Sequence, residues 1–174
     1  VLFNGHLGDA LSGGHLLPAL FWMRREHLAA HVLQKRTTLP KERLRALCTP
    51  RSFEALYGQL RTEVERELVA LDEERLPQLF NLWDLTVRQR RYTLATPAVD
   101  RYLFEQLTPF VDNDLVDLML GAPLTELFGQ RAYVRAILEG IPEARHIPWA
   151  RTAREIEPQY LVRMTRLAGD TAMK

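Results

Sequence analysis

The chain has 174 residues, 47% of them hydrophobic and 26% charged, with a formal net charge of +1; this is the balance of one soluble domain over 1–174 with room for a real core. Glu and Asp are interleaved with the arginines, so there is no electrostatic case for nucleic acid or an anionic membrane surface as partner. The longest uncharged apolar run, Leu16 to Met23, is far below the roughly 20 residues a membrane span requires. A single cysteine, Cys48, excludes an internal disulfide and suits a reducing cytoplasm, where it reads as a core thiol.

The chain begins Val1-Leu-Phe-Asn-Gly5-His-Leu-Gly-Asp9-Ala-Leu-Ser-Gly-Gly14-His15. Three apolar residues, the end of a strand, run into a loop holding four of the nine glycines, and an apolar run follows. Strand, glycine loop and helix is a geometry that brings backbone N–H groups up to a phosphate; it is also the commonest form of a plain connection. Asp9 stands where its carboxylate can cap the helix or hold Mg²⁺. The spacing matches neither G-x-x-x-x-G-K-[ST] nor G-x-G-x-x-G. Ser12 is not a nucleophile elbow, because the position two residues before it is Ala10 and not glycine. The chain opens inside an apolar strand without an initiator methionine, so it is expected to be a piece of a longer protein.

From Leu11 to about Gln34 the pattern predicts one long helix with Leu16, Leu20, Met23 and His27 on a stripe and Pro18 in its first two turns. His27 and His31 are four apart, but no H-E-x-x-H pattern or third ligand accompanies them. Thr38 to Cys48 reads as a short helix. Thr49-Pro50 then supplies the cap and first position of a long one, whose apolar stripe is Phe53, Leu56, Tyr57, Leu60, Val64, Leu68 and Leu71. Asp72-Glu73-Glu74 reads as a solvated turn. About Pro77 to Tyr92 is helical with Phe80, Trp83 and Val87 inward, and Arg88 to Arg91 complement its C-terminal dipole or bind an anion. A helix is predicted from Thr96-Pro97 to about Leu107, and another from Asn113 to Leu120, stopped by Gly121, with Asp112 and Asp114 as cap residues rather than a calcium loop. A shorter helix covers about Arg131 to Leu138. Ile147-Pro148-Trp149 forms an apolar loop anchor, and Thr152 to Glu155 has capping-box form before a last helix interrupted near Pro158. No strand is predicted after residue 5, so the fold class is mainly α.

The order of these elements resembles that of a known family. Phe3-Asn-Gly-His-Leu-Gly-Asp9-Ala-Leu-Ser-Gly-Gly14 is similar to the second motif of the asparagine synthetase (glutamine-hydrolysing) family, where a strand ends in Gly-x-Gly-x-Asp-Glu followed by an apolar pair and glycines. The arginine-rich Arg88 to Arg91, then Pro109-Phe-Val-Asp-Asn-Asp-Leu-Val-Asp117 with Pro123 after it, resembles the family's arginine followed by Pro-Phe-Leu-Asp and a helix. Tyr133-Val-Arg-Ala-Ile-Leu138, Ile141-Pro-Glu143 and Ile147-Pro148 resemble the next stretch, so the likeness spans about Leu2 to Arg151.

The resemblance implies the helical C-terminal portion of an α/β adenine-nucleotide-hydrolase-like synthetase domain, with only a short N-terminal strand retained. Family members adenylate a carboxylate with Mg-ATP, release pyrophosphate, and pass the acyl group to ammonia from a glutaminase domain or to another amine. By that likeness Asp9 is a metal and pyrophosphate residue, and the backbone of Gly5 and Gly8 lines the substrate pocket. His6 and Ala10 stand where the family has carboxylates. The family's catalytic lysine falls near Trp149 to Thr152, where Arg151 is the nearby cation, able to hold pyrophosphate but not to act as a base. The family's first motif, S-G-G-x-D-S, is missing: Ser12-Gly13-Gly14 is followed by His15, Leu16 and Leu17. The phosphate loop and any glutaminase are therefore expected upstream in the parent protein, and residues 1–174 alone are expected not to turn over ATP. The competing expectation is a non-catalytic helical interaction domain, either a decayed relative or an unrelated bundle.

Overall fold

Leu2–Phe3 forms a strand, β1, and the computed structural model, which describes residues 1–37, 39–93, 95–149 and 154–156, pairs it with a second strand. That partner, β2 (Gln106–Leu107), runs parallel to it, with Leu2 opposite Gln106 and Phe3 opposite Leu107. Leu2 N donates to Glu105 O and Asn4 N to Leu107 O, each at 2.8 Å. The expected absence of strands after residue 5 is thus corrected. So is the helix expected from Thr96 to Leu107, which is only Ala95–Asp100 (α6). A parallel pair needs a long crossover, and here the helices between residues 8 and 100 supply it.

The helix expected from Leu11 to Gln34 is broken into pieces. Gly8–Leu11 (α1) is a single turn, and Gly13 then takes φ +85°, where a Cβ would run into the Leu127 carbonyl. Leu17 is extended ahead of Pro18, as the proline ring requires of its predecessor. A 3-10 turn at Pro18–Phe21 follows, Arg24 is again extended, and a second 3-10 turn at Arg25–His27 leads into α2, Leu28–Arg36. Glycine and proline override the apolar spacing that Leu16 and Leu20 keep.

Lys41–Leu47 (α3) follows Pro40. The long helix α4 is Pro50–Ala70, with the expected cap: Ser52 N donates to Thr49 Oγ1 at 3.2 Å and Pro50 takes the first position. Its buried stripe is narrower than the spacing suggested, since Phe53, Val64 and Leu68 are buried while Leu56 and Leu60 are exposed. Arg61 pairs with Glu65 and Arg66 with Glu63 on the outer face. Leu76–Trp83 (α5) is followed by a π-helical segment, Asp84–Thr93. Glu67 of α4 fastens this pair, accepting from Trp83 Nε1 at 2.9 Å and from Arg91 at 2.5 Å. Asn113–Gly121 (α7) begins at Asp112, whose Oδ1 accepts from Leu115 N at 3.1 Å, the expected cap. Leu124–Leu127 (α8) and Arg131–Gly140 (α9) are the last α-helices among the described residues.

Pro148–Trp149 (β3) pairs antiparallel with Arg154–Glu155 (β4), where the sequence suggested a loop anchor and a helical cap; Glu155 is in a strand. Thr38, Arg151, Thr152 and Pro158 lie outside the described residues.

Over the described residues the chain is mainly helical, as expected. The core lies where α2, α4, α5 and the Pro18–Phe21 turn meet, with Leu20, Leu28, Val32, Leu79 and Phe80 fully buried, and Leu127 and Phe128 close one side. Cys48 is half-buried rather than in the core. Among the described residues no helix is long and apolar enough to cross a membrane. The β1–β2 ribbon is poorly covered: Phe3 is 73% exposed and Tyr102, in the turn leading to β2, is 90% exposed.

Candidate functional site

The glycine loop closes on itself before it reaches anything else. His6 N donates to Asn4 Oδ1 at 2.9 Å and Gly8 N to Gly5 O at 3.2 Å, so two of its amides are turned inward. Leu7 takes φ +73° to start α1, and Gly8 lies flat beneath the Phe110 ring, where a Cβ would sit 3.0 Å from ring carbon. Asp9 falls inside α1 rather than at its cap. The cap expected of Asp9 is corrected: Leu7 holds the cap position, and the side chain of Asp9 is drawn elsewhere.

It is drawn to His15. The Gly13-Gly14 turn reverses the chain so that His15 Nε2 lies 3.2 Å from Asp9 Oδ2, and a Cβ on Gly14 would occupy the space of Asp9 Oδ1. That oxygen accepts from Gln130 Nε2 at 3.0 Å, and the same Gln130 nitrogen donates to Ser12 Oγ at 2.7 Å. Gln130 precedes α9 with φ +60°, next to Gly129 at φ +67°, so two left-handed residues in succession deliver its side chain under the loop. A non-glycine residue there carries strain of about 1 kcal/mol or more, which its two hydrogen bonds offset.

The other face of the imidazole meets Asp84. His15 Nδ1 lies 2.6 Å from Asp84 Oδ2, and the Asp84 side chain is 0% exposed. The π-helical geometry explains how one carboxylate gathers so many partners. With i to i+5 hydrogen bonding, the residues four and five positions on flank the first. Arg88 Nη1 stands 3.4 Å from Asp84 Oδ1, and Gln89 Nε2 donates to Oδ2 at 3.0 Å. Arg36, the last residue of α2, places Nε 3.7 Å from Asp84 Oδ1, donates from Nη2 to His15 O at 3.2 Å and lies 5.1 Å over the Phe80 ring.

The protonation of the group follows from this packing. Burial works to push the His15 imidazole down, but its hydrogen bonds to Asp84 and Asp9 outweigh that and hold it above its ordinary value. Burial works to raise Asp84, and the His15 and Gln89 hydrogen bonds hold it below its ordinary value instead. An imidazole with a carboxylate oxygen at each nitrogen is placed to donate at both when it is protonated, which engages both of its nitrogens. Ser12 Oγ donates to Asp9 O at 3.2 Å and receives Gln130, so it has no contact with His15 of the kind an activated serine needs. The chemically reachable end of the network is Asp9, whose side chain is 57% exposed.

The chain matches no family model, no curated protein and no solved structure.

Of the site residues suggested by sequence, the structure brings together Gly5, Gly8 and Asp9 in one loop, and Arg151 lies outside the described residues. The Mg²⁺ implied for Asp9 can be tested against the donors present. The loop supplies one carboxylate, which contacts His15 and Gln130, the adjoining positions are His6 and Ala10, and no cluster of three metal-ligating side chains occurs among the described residues. The His15 ring, 3.2 Å from Asp9 Oδ2, already occupies the place of a second ligand. These residues do not fit a resident Mg²⁺.

The sequence reading passed over His15, Arg36, Asp84 and Gln130. For Asp84 a signal existed: it stands four residues after Phe80 on the inward stripe that includes Trp83 and Val87, and a carboxylate there must be paired. Gln130 carried none, because it reaches Asp9 across 121 residues through a backbone conformation unusual for glutamine.

Proposed function

We propose that this chain is the helical C-terminal portion of an asparagine synthetase-like domain. Its intact, cytoplasmic parent forms an amide bond by adenylating a small-molecule carboxylate with Mg-ATP and passing the acyl group to ammonia or another amine. One observation carries the reading. The two stretches that resemble the family most, Phe3 to Gly14 and Pro109 to Asp117, lie about a hundred residues apart in sequence yet meet in space. β1 and β2 pair in parallel, and Phe110 covers Gly8. An unrelated helical bundle has no reason to bring these two particular stretches to one strand end. Parallel strands followed by a glycine loop are also the usual setting of nucleotide chemistry in α/β folds.

In this reading Mg²⁺ arrives with the nucleotide as part of the substrate, and phosphate is gripped chiefly by an upstream S-G-G-x-D-S loop of the parent. Residues 1–174 supply the helical wall, the Gly5–Asp9 loop and the cation Arg151. Calorimetry of the 174-residue chain with Mg-ATP is expected to show no micromolar binding, and micromolar affinity would contradict the proposal. The parent gene is expected to encode S-G-G-x-D-S ahead of Val1.

A second reading, a non-catalytic helical interaction domain, is favoured by the exposure of Phe3 and its strand partner Leu107 on the β1–β2 ribbon, since apolar side chains left together on a surface mark contact with another polypeptide. A full gene without S-G-G-x-D-S selects that reading over the ligase.

A further inference from the structure

Two carboxylates brought close in a fold repel each other unless something positive sits between them, and in nucleotide-handling loops that something is often a divalent cation. Here the space between Asp9 of α1 and Asp84 of the π-helical segment is filled by the His15 ring, 3.2 Å from the one and 2.6 Å from the other. We propose that the His15 ring takes the place of a resident metal ion: bridging Asp9 and Asp84, it clamps the glycine loop to the π-helical segment, and the loop binds no Mg²⁺ of its own.

The surrounding charge supports this assignment. From α2, Arg36 faces the pair, and from the π-helical segment Arg88 does so, both directed at Asp84. Among the described residues two arginines and the His15 ring face these two carboxylates, so an approaching Mg²⁺ finds them already engaged by basic side chains. The backbone is built for the same end. Gly13 takes a left-handed turn and Gly14 leaves the space that Asp9 Oδ1 fills, which together deliver His15, the next residue, between the two acids. Gln130 Nε2 also holds Asp9, through Oδ1. The clamp does not depend on the ligase reading, since it concerns what fastens this loop whatever the parent catalyses.

Its test uses the native 174-residue protein first. Long-range ¹H–¹⁵N spectra are expected to show both His15 ring nitrogens engaged in hydrogen bonds, and millimolar Mg²⁺ or Mn²⁺ is expected to leave Tm unchanged and to produce no stoichiometric paramagnetic broadening at the Gly5–His15 loop. A His15 ring nitrogen free of any hydrogen bond, or one-to-one Mn²⁺ binding that Asp9→Asn abolishes, would overturn the proposal. A double-mutant cycle reads the bridge directly. Asp9→Asn and His15→Gln each lower Tm, and combining them is expected to lower it scarcely further than His15→Gln alone, whereas additive shifts would show that the two side chains do not act together. Should His15→Gln fail to fold, the spectra and the Mn²⁺ titration of the native chain still decide.

Discussion

Asp84→Asn removes one charge and almost no volume, so it isolates what the buried carboxylate contributes. Asp84 is fully buried and faces three cationic side chains, His15 at 2.6 Å, Arg88 at 3.4 Å and Arg36 at 3.7 Å, with Gln89 donating at 3.0 Å. An asparagine keeps one acceptor and turns an NH₂ toward groups that are themselves donors. Removing one partner of a buried ion pair costs about 3–5 kcal/mol, most of it the penalty of leaving the remaining charge unpaired. For a chain of this length each kcal/mol moves Tm by roughly 2–4 °C, so a drop of about 6–20 °C is expected. Asp9→Asn acts on the exposed end of the same network, where solvent screens the pair with His15, and should lose about 1 kcal/mol or less. Thermal unfolding of the three proteins followed by far-ultraviolet circular dichroism separates the cases. Equal losses for Asp84→Asn and Asp9→Asn, or an Asp84→Asn variant within about 1 kcal/mol of native, would refute the view that Asp84 is the buried anchor of the site.

Gly14→Ala should destabilise by about 1–3 kcal/mol in urea unfolding, because its Cβ meets the Asp9 carboxylate and comes within 2.9 Å of the Asp9 carbonyl oxygen, which cannot rotate away. Phe80→Ala opens the centre of the core, where the ring is fully buried and also supports Arg36; a loss of about 3–5 kcal/mol is expected by the same measurement. Stability should also vary with pH in a way that His15 controls. The folded imidazole keeps its proton to higher pH than the unfolded one, so its contribution is complete below about pH 6.5 and fades as pH rises through the raised value. Asp84, held below its ordinary value, contributes above about pH 4 and loses its contribution as pH falls through the lowered value. His31, pushed down by burial and then by Lys35 and Arg36, pulls the other way as pH falls below about 6.5. The clamp is therefore read as the difference between native and His15→Gln, expected to be largest between about pH 4 and 6.5 and to shrink toward alkaline pH; a difference that stays the same from about pH 6.5 up to alkaline pH contradicts it.

Local chemistry was the readable part of this chain. Thr49-Pro50 and Asp112 cap the helices they precede because a side-chain oxygen satisfying an amide two or three residues on depends on nothing distant. The stripe of α4 was likewise visible in its spacing, although Leu56 and Leu60 show that no partner covers its whole width. Apolar spacing failed from Leu11 to Gln34, where Gly13 and Pro18 set backbone angles that outweigh periodicity. It failed again at β2, a two-residue strand whose only reason to exist is β1, about a hundred residues earlier. The π-helical segment has the composition of an ordinary helix, in which Asp84 and Arg88 would pair anyway at i and i+4, so it was the addition of Gln89 that nothing in Asp84 to Thr93 foretold. The site followed the same rule. Asp9 stood out because it ends a glycine loop, whereas His15 and Gln130 became partners only through tertiary closure.

Pyrophosphate release tests the central claim, that the loop of Asp9 and the Pro109 to Asp117 stretch belong to one ligase site, most directly. The full-length gene product, given Mg-ATP, a panel of amino-acid carboxylates and ammonia or glutamine, is expected to release pyrophosphate only when a carboxylate is present, while residues 1–174 alone release none. A full-length protein that releases no pyrophosphate with any carboxylate in the panel, or a 174-residue chain that does so unaided, would contradict the account.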